Sequence, residues 1–318
     1  MMDWLDKNIL VTGGAGFIGS HLVDFLVDKR AKVTVIDNLK DGRMENLSNV
    51  IDTVSFEKGD VRDGQKVNEI IDTNEIEIVF HLAANANVPY SVEHPRYDFE
   101  TNAVGSLNVL ESCRDNQVEK MIYASSAAVY GEPKYTPMDE NHPLKPISPY
   151  GASKLAGEKL GFAYHRTYGL SFVSMRIFNT YGPRQRRYVM YDLLRKLREN
   201  QDHLEVLGTG DQTRDYCYVL DTANAFLLAA EKEEAVGQAF NVAGGNSVTI
   251  RELAEIIVRI LELGGTTEIQ YTGESWKGDI VKLVADISKI KRLGFEPQTG
   301  LEEGISKLKN WFEKAERC

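Results

Sequence analysis

The sequence has few of the features that cross-link a chain or carry it into a membrane. It has three cysteines, Cys113, Cys217 and Cys318, in neither metal-ligand nor disulfide spacing. That pattern suits a reducing compartment and points away from a cysteine-held zinc or a disulfide framework. No apolar run approaches the roughly 20 residues that span a bilayer. Residues Met1 to Lys7 are net acidic, and the apolar stretch behind them is only Ile9 to Val11. A signal peptide has basic residues and a longer apolar core, so a cytoplasmic location and no membrane partner are expected. Positive charge is also in deficit. Lys and Arg total 37 against 47 Asp and Glu, a formal net charge of −10, so nucleic acid is not an expected partner. No metal cluster, internal repeat, low-complexity tract or flexible linker stands out.

The chain has 318 residues, 42% of them hydrophobic, enough for one large domain or two smaller ones. Its first half alternates short β-branched runs with helical stretches. Asn8 to Thr12, Lys32 to Ile36, Val54 to Phe56, Ile76 to Leu82, Lys120 to Ser125 and Leu170 to Phe178 read as strands. Phe17 to Asp28 carries Ile18, Leu22, Phe25 and Leu26 at helical spacing. Such alternation predicts an α/β fold with a doubly wound parallel sheet. Beyond about Asn179 the rhythm changes. Gly182 to Arg187 is a basic loop, and Thr249 with Glu252 reads as a capping box opening a helix that Gly264 and Gly265 stop. A second box, Thr299 with Glu302, is expected to start the last helix, with Leu301, Ile305, Leu308 and Phe312 inward. A smaller α/β domain is therefore expected to pack on the first, leaving a cleft between them.

Gly13-Gly-Ala-Gly16-Phe-Ile-Gly19 joins the first strand to the first helix. Gly13 suits a tight turn, Gly16 lets backbone approach a pyrophosphate at a helix N-terminus, and Gly19 permits close helix–strand packing. Asp37 follows 18 residues after Gly19, at the end of the second strand. A carboxylate there can accept both ribose hydroxyls of NAD and repel a 2′-phosphate. Arg43 nearby leaves NADP open as an alternative. Tyr150 and Lys154 lie at i, i+4 spacing at the start of a helix, after Pro146 and Pro149. They share one face, where the ammonium is expected to lower the phenol's pKa and make a general base. Ser125 to Gly131 ends the fifth strand, where parallel sheets present ligand-binding groups.

With these residues in place the chain resembles, nearly end to end, the extended short-chain dehydrogenase/reductase superfamily. The resemblance is to its nucleotide-sugar epimerase branch, most of all the UDP-glucose 4-epimerases. Besides the residues above it rests on Asp37-Asn38, Asp60-Val61, His81 to Ala84, Asn102, Ser126, Arg176 to Asn179 and Arg214 to Tyr216. The resemblance implies an NAD site made by Gly13, Gly16, Phe17, Ile18, Gly19, Asp37, Asn38, Asp60, Val61, Leu82, Ala83, Ala84, Asn102, Tyr150 and Lys154. Asp60 and Val61 would contact adenine. Asn102 would sit near the cofactor and support the active-site serine and lysine. Ser126, Tyr150 and Lys154 would be catalytic. Asn179, Arg214 and Asp279 would bind the nucleotide sugar, and Leu283 would border the sugar pocket. Residues 1–178 would form the NAD domain, with returning segments near 217–243 and 279–290, and 179–318 mainly the nucleotide-sugar domain. Pairing of the helices at Phe99 to Arg114 and Tyr150 to Tyr168 into a homodimer is also implied.

The reaction is chosen by what is missing. The resembling 4,6-dehydratases carry an Asp-Glu pair where this chain has Ala127 and Ala128. UDP-glucuronate decarboxylases keep a glutamate at the second position, and reductases and 3,5-epimerases of the GDP-sugar type place a cysteine there. Two alanines do none of that chemistry. What is left suffices for reversible oxidation of one hydroxyl, implying inversion of the sugar 4-hydroxyl through a 4-keto intermediate. UDP-glucose/UDP-galactose is the leading substrate. UDP-N-acetylglucosamine, UDP-glucuronate and CDP- or GDP-sugars stay open, as do a net reductase and a non-catalytic cofactor-binding protein. Three departures bear on the substrate. Trp276 replaces a diphosphate-binding arginine just before Lys277-Gly278-Asp279, and Ala86 matches a lysine of some members. Leu283 stands where a large tyrosine resembles enzymes confined to unsubstituted sugars, so tolerance of an N-acetyl group is expected. An apolar strand, with Val281, Leu283 and Ala285 on one face, is the alternative for Leu283.

Overall fold

Strands made only of apolar and β-branched residues need cover on both faces. The computed structural model, which describes residues 3–273 and 280–316, supplies it. Thirteen strands run β1 Asn8–Thr12, β2 Lys32–Asp37, β3 Ser55–Lys58, β4 Ile78–His81, β5 Lys120–Ser126, β6 Ser171–Ile177, β7 Asn179–Tyr181, β8 His203–Val206, β9 Thr213–Tyr218, β10 Ala239–Val242, β11 Ser247–Thr249, β12 Glu268–Tyr271 and β13 Lys282–Leu283. The α-helices are α1 Phe17–Asp28, α2 Gly64–Thr73, α3 Val88–Glu93, α4 Pro95–Phe99, α5 Gly105–Asp115, α6 Pro149–Tyr168, α7 Val189–Glu199, α8 Val219–Glu231, α9 Ile250–Ile260, α10 Ser288–Lys291 and α11 Leu301–Ala315. A π-helical turn, Glu100–Val104, links α4 to α5.

Seven strands form one parallel sheet in the order β10-β6-β5-β4-β1-β2-β3. All of β4 is buried, and so is β1 after its first residue. One face packs with α1 and α8 in a cluster around Leu22, Phe80, Ile122 and Phe226. The other packs with α2 and α5 around Val67, Leu110 and Phe172. The strand order reverses between β1 and β4, which opens a crevice at their carboxyl ends. Gly13, Asp37, Leu82 and Ser126 all lie at those ends. A separate apolar cluster holds β8, β9, α7, α9 and α11 around Leu193, Leu204, Leu253 and Leu308. Its small sheets order β11-β9-β13, with β7 also paired to β9, and β12-β8.

The Thr249–Glu252 capping box forms in full. The second box does not. Gly300 caps α11 without a side-chain bond, because the Asp221 carboxylate takes the N–H groups of Gln298 (3.0 Å) and Thr299 (3.1 Å). Helix α9 also stops before the Gly264-Gly265 pair, at Ile260, with Glu262 in the left-handed region (φ 59°). The strand at Leu283 is only two residues long. Val281 is exposed and Ala285 is buried, so the three do not share one environment.

Candidate active site

The first βα turn is shaped by contacts that only glycine permits. Gly13 has φ +70°, and a Cβ there would stand 2.8 Å from the backbone N of Ala83. A Cβ on Gly19 would collide with the Gly13 carbonyl. Helix α1 then begins with Gly16 as its cap and no side chain over the first turn, so free N–H groups point into the crevice, as an anion requires. Asp37 closes the far side. Its carboxylate accepts from Leu39 N (2.8 Å) and Ala15 N (3.1 Å), and burial pushes its pKa up. A Cβ on Gly42 would lie 2.6 Å from Asp37 Oδ1, so the strand end is packed around the acid. Asn38 Nδ2 donates to Asp60 (2.8 Å). Despite burial, Arg62 and Asn38 hold the Asp60 carboxyl down at about 2.

At the centre, Ser126 ends β5 and caps a short 3₁₀ turn, accepting from Ala128 N at 3.1 Å. Helix α6 starts at Pro149 with Ser148 as its cap. A Cβ on Gly151 would come 2.5 Å from the Ala128 carbonyl. That close approach brings Tyr150 up to the Ser126 turn. Lys154, one helical turn on, is 2% exposed, and its Nζ lies 4.2 Å from the centre of the Tyr123 ring.

Burial dominates the electrostatics of the tyrosine–lysine pair. Burial raises the Tyr150 phenol, with the Ser126 hydroxyl and the Arg187 guanidinium pulling it down. Lys154 is itself lowered to about 7 by burial, against the pull of Asp98 and Glu158. An ammonium removed from water is poised near neutrality and is a weaker source of positive charge than the i, i+4 spacing suggests. Glu158 is fully buried and is held ionised by Arg176 (2.7 and 3.1 Å).

A cavity of about 1380 Å³ runs past the phosphate loop, Asp37, Ser126, Tyr150 and Lys154. Gly13, Gly16, Phe17, Ile18, Gly19, Asp37, Asn38, Asp60, Val61, Leu82, Ala83, Ala84, Ser126, Tyr150, Lys154, Asn179, Arg214 and Leu283 all line it. Asn102 does not. Its fully buried amide bonds Asn85 N and O, Asp98 and Ser153, so it stands one layer behind the wall and touches neither Ser126 nor Lys154. Asp279, Trp276 and Lys277 lie outside the described residues. Arg214 is paired in register with Leu283. Asp215 does not face Arg214 as a partner, because its Oδ1 accepts from Gly244 N (2.9 Å) and Gly245 N (3.0 Å). Asp211 approaches Arg251 instead.

Sequence reasoning noted a basic loop at 182–187 but gave it no place in the site. Segment 182–188 crosses the crevice as a strap. Arg184 pairs with Asp24 (2.7 Å), Arg186 with Glu45 (3.4 Å) and Arg187 with Asp41 (3.1 Å). Tyr188 Oη donates to the Ala86 carbonyl (2.8 Å). The turn uses left-handed backbone at Arg184 (φ 70°) and Tyr188 (φ 73°), which is costly for such residues. The signal available in sequence was three arginines and three acids far apart, which spacing alone does not pair.

The sequence pattern of the family described as GDP-mannose 4,6 dehydratase matches residues 10–308. The chain is 41% identical to a putative UDP-glucose 4-epimerase of Methanocaldococcus jannaschii, over 97% of this chain and 99% of that protein. It superposes with a TM-score of 0.91 on the UDP-N-acetylglucosamine 4-epimerase of Methanobrevibacter ruminantium, solved with UDP-N-acetylmuramic acid. Identity there is 39%, covering 98% of this chain and 99% of that one. A UDP-glucose 4-epimerase of Thermus thermophilus in complex with NAD superposes at 0.86, with 37% identity over 96% and 99% of the two chains.

Proposed function

We propose, from the premise that this chain belongs to the extended short-chain dehydrogenase/reductase family in its nucleotide-sugar branch, that it inverts the 4-hydroxyl of a UDP-sugar. The observation that carries the reading is the continuity of the cavity. Its volume exceeds the 300–1,000 Å³ or so of an ordinary single-ligand pocket, and it joins a phosphate loop to an acid–base pair and then to Asn179 and Arg214. That is room for a dinucleotide and a second nucleotide end to end.

NAD is bound by the Thermus thermophilus relative, and the residues here fit it. The Cβ-free cradle at Gly13, Gly16 and Gly19 suits a pyrophosphate, and Asp37 suits a ribose with a free 2′-hydroxyl. Asn38, Asp60, Val61 and Leu82 to Ala84 would wall the remainder. Bound there, NAD supplies the place where the sugar's hydride is lodged and from which it returns. The protein does the rest. Tyr150 takes the proton from the 4-hydroxyl and gives it back after inversion. Ser126 hydrogen-bonds that oxygen throughout, and Lys154 holds the nicotinamide ribose. Asn179 and Arg214 anchor the diphosphate while the keto-sugar turns about its link, Arg214 by charge-assisted bonds. Ala127 and Ala128 offer no group to expel water or carbon dioxide.

The division into a cofactor domain of residues 1–178 with returning segments near 217–243 and 279–290, and a sugar domain of mainly 179–318, belongs to this proposal. So does a homodimer through α5 and α6, which the exposure of Phe99 and Tyr168 supports. Leu283, half-buried on the cavity wall, is shorter than a tyrosine and leaves space beside the sugar, so an N-acetyl group fits. The test is incubation with UDP-, TDP-, GDP- and CDP-sugars, with product stereochemistry read by NMR. Inversion at C4 of a UDP-sugar supports the reading, and net reduction or no turnover on any of them overturns it.

A further inference from the structure

Lys154 raises a question of charge. It is sunk in the floor of the cavity, its carbonyl accepts from Tyr123 Oη (3.1 Å), and its ammonium makes no hydrogen bond among the described residues. Several ionisable groups face it. His81 on β4 is fully buried between Thr12 Oγ1 (2.7 Å) and Ser106 Oγ (2.9 Å), and stays neutral because burial and Lys154 lower it to about 3. Tyr123 on β5 and Tyr150 on α6 are neutral phenols, both raised by burial. Two carboxylates remain, Glu158 on α6 and Asp98 on α4. Glu158 is already matched by Arg176.

Asp98 is different. It is wholly buried and forms no ion pair among the described residues. Its oxygens accept from three neutral donors on three pieces of chain. These are Asn85 Nδ2 (2.7 Å) after β4, Asn102 Nδ2 (3.1 Å) in the π turn and Ser153 Oγ (2.6 Å) in α6. Ser153 also bonds the Tyr150 carbonyl (3.0 Å) and sits immediately before Lys154. A buried carboxylate without a cation is costly, and neutral hydrogen bonds offset only part of that. The Lys154 ammonium, one residue beyond the Ser153 donor, is the cation on which that carboxylate acts.

We propose that Asp98 is a positioning residue that keeps Lys154 cationic and fixes the start of α6 against the cavity wall. It touches neither cofactor nor substrate and acts through Lys154 and Ser153. The consequence for rate rests on the function proposed above, but the charge itself is measurable without turnover. In NAD-loaded protein labelled with ε-¹³C-lysine, the Lys154 resonance, assigned with Lys154→Arg, gives its titration midpoint. Asp98→Asn keeps an acceptor toward Asn85 and Asn102 and removes the charge. Its midpoint is expected to fall by about one unit, with the alkaline limb of kcat/KM moving down alongside it. Ser153→Ala removes a hydrogen bond and keeps the charge, so its midpoint should stay in place even if its melting temperature drops. If Asp98→Asn does not fold, Asp98→Ser carries the same test. An unchanged midpoint in the charge-removing variant, or a wild-type midpoint already below about 6, overturns the proposal. A shifted midpoint in an enzyme that inverts no sugar upholds it and rejects the reaction instead.

Discussion

One wall of the cavity is made mostly of backbone and the other mostly of long side chains. Along β1, β2 and β4, Gly13, Gly16, Gly19 and Ala83 bring main chain to the crevice, with the Asp37 carboxylate at the end of β2. Across from it, Asn179, Arg184, Arg187, Arg214 and Leu283 reach in from a strap and from short strands. Under the proposed function, the first wall holds the cofactor and side-chain identity on the second selects the sugar. Buried titratable groups lie in both regions, and Asp37 on β2 is raised by burial as Asp215 on β9 is. The large-sheet region encloses His21, His81 and Lys154, all held below their ordinary values by burial. The small-sheet region encloses Asp215, raised to about 6 by burial despite the N–H groups of Gly244 and Gly245.

The sharpest way to break this division is at the point where the walls meet. Tyr150→Phe should leave the fold and bound NAD intact and reduce turnover by about 10²–10⁴-fold, the usual contribution of a general acid–base group. Ser126→Ala should be milder, since the phenol still moves the proton. More than about a tenth of wild-type turnover in Tyr150→Phe would remove the tyrosine from the reaction. On the variable wall, Leu283→Tyr should lower the ratio of kcat/KM for UDP-N-acetylglucosamine over UDP-glucose by about 10- to 200-fold, the range expected for filling a pocket by a few atoms. An unchanged ratio in a folded variant would take Leu283 off the sugar side.

A third test separates the regions by pH. The folded chain holds His21 at about 4 and His81 at about 3, while the unfolded chain protonates both near 6.5. Their stabilisation is complete above pH 6.5 and is lost as pH falls toward the folded values, by about 2 kcal/mol each at pH 5. Asp215 runs the other way. Its folded pKa lies above the unfolded one, so its region gains about 1 kcal/mol over pH 7 to 5. Amide exchange, corrected for intrinsic rates, should show protection in β4 and β5 falling before that in β9. Equal loss in both would contradict the contrast.

Legibility in the sequence follows the same line. Gly13 to Gly19, Asp37 and the Tyr150–Lys154 pair were readable because each is a local constraint, a turn, a strand end or one helical turn. The parallel sheet was readable from unbroken apolar strands. The strap was not, because its partners Asp24, Asp41 and Glu45 lie some 140 to 160 residues away. Burial decided the rest. Spacing placed Lys154 beside Tyr150, but only the packing of β4, β5 and α4 around it revealed an ammonium lowered to about 7. Asn102 reaches the start of α6 through Ser153, a contact that spacing does not reveal. At Thr299 the box gives way to Asp221, distant in sequence, whose carboxylate takes the Thr299 N–H.

The central claim is that this cavity oxidises and re-reduces one carbon and performs no other bond chemistry. It is tested most directly with a UDP-sugar deuterated at C4, incubated in ordinary water and followed by NMR. The account predicts the inverted sugar with deuterium still at C4 and no dehydrated or decarboxylated product. Loss of the label to water, or a product lacking the 6-oxygen or a carboxyl group, would contradict it.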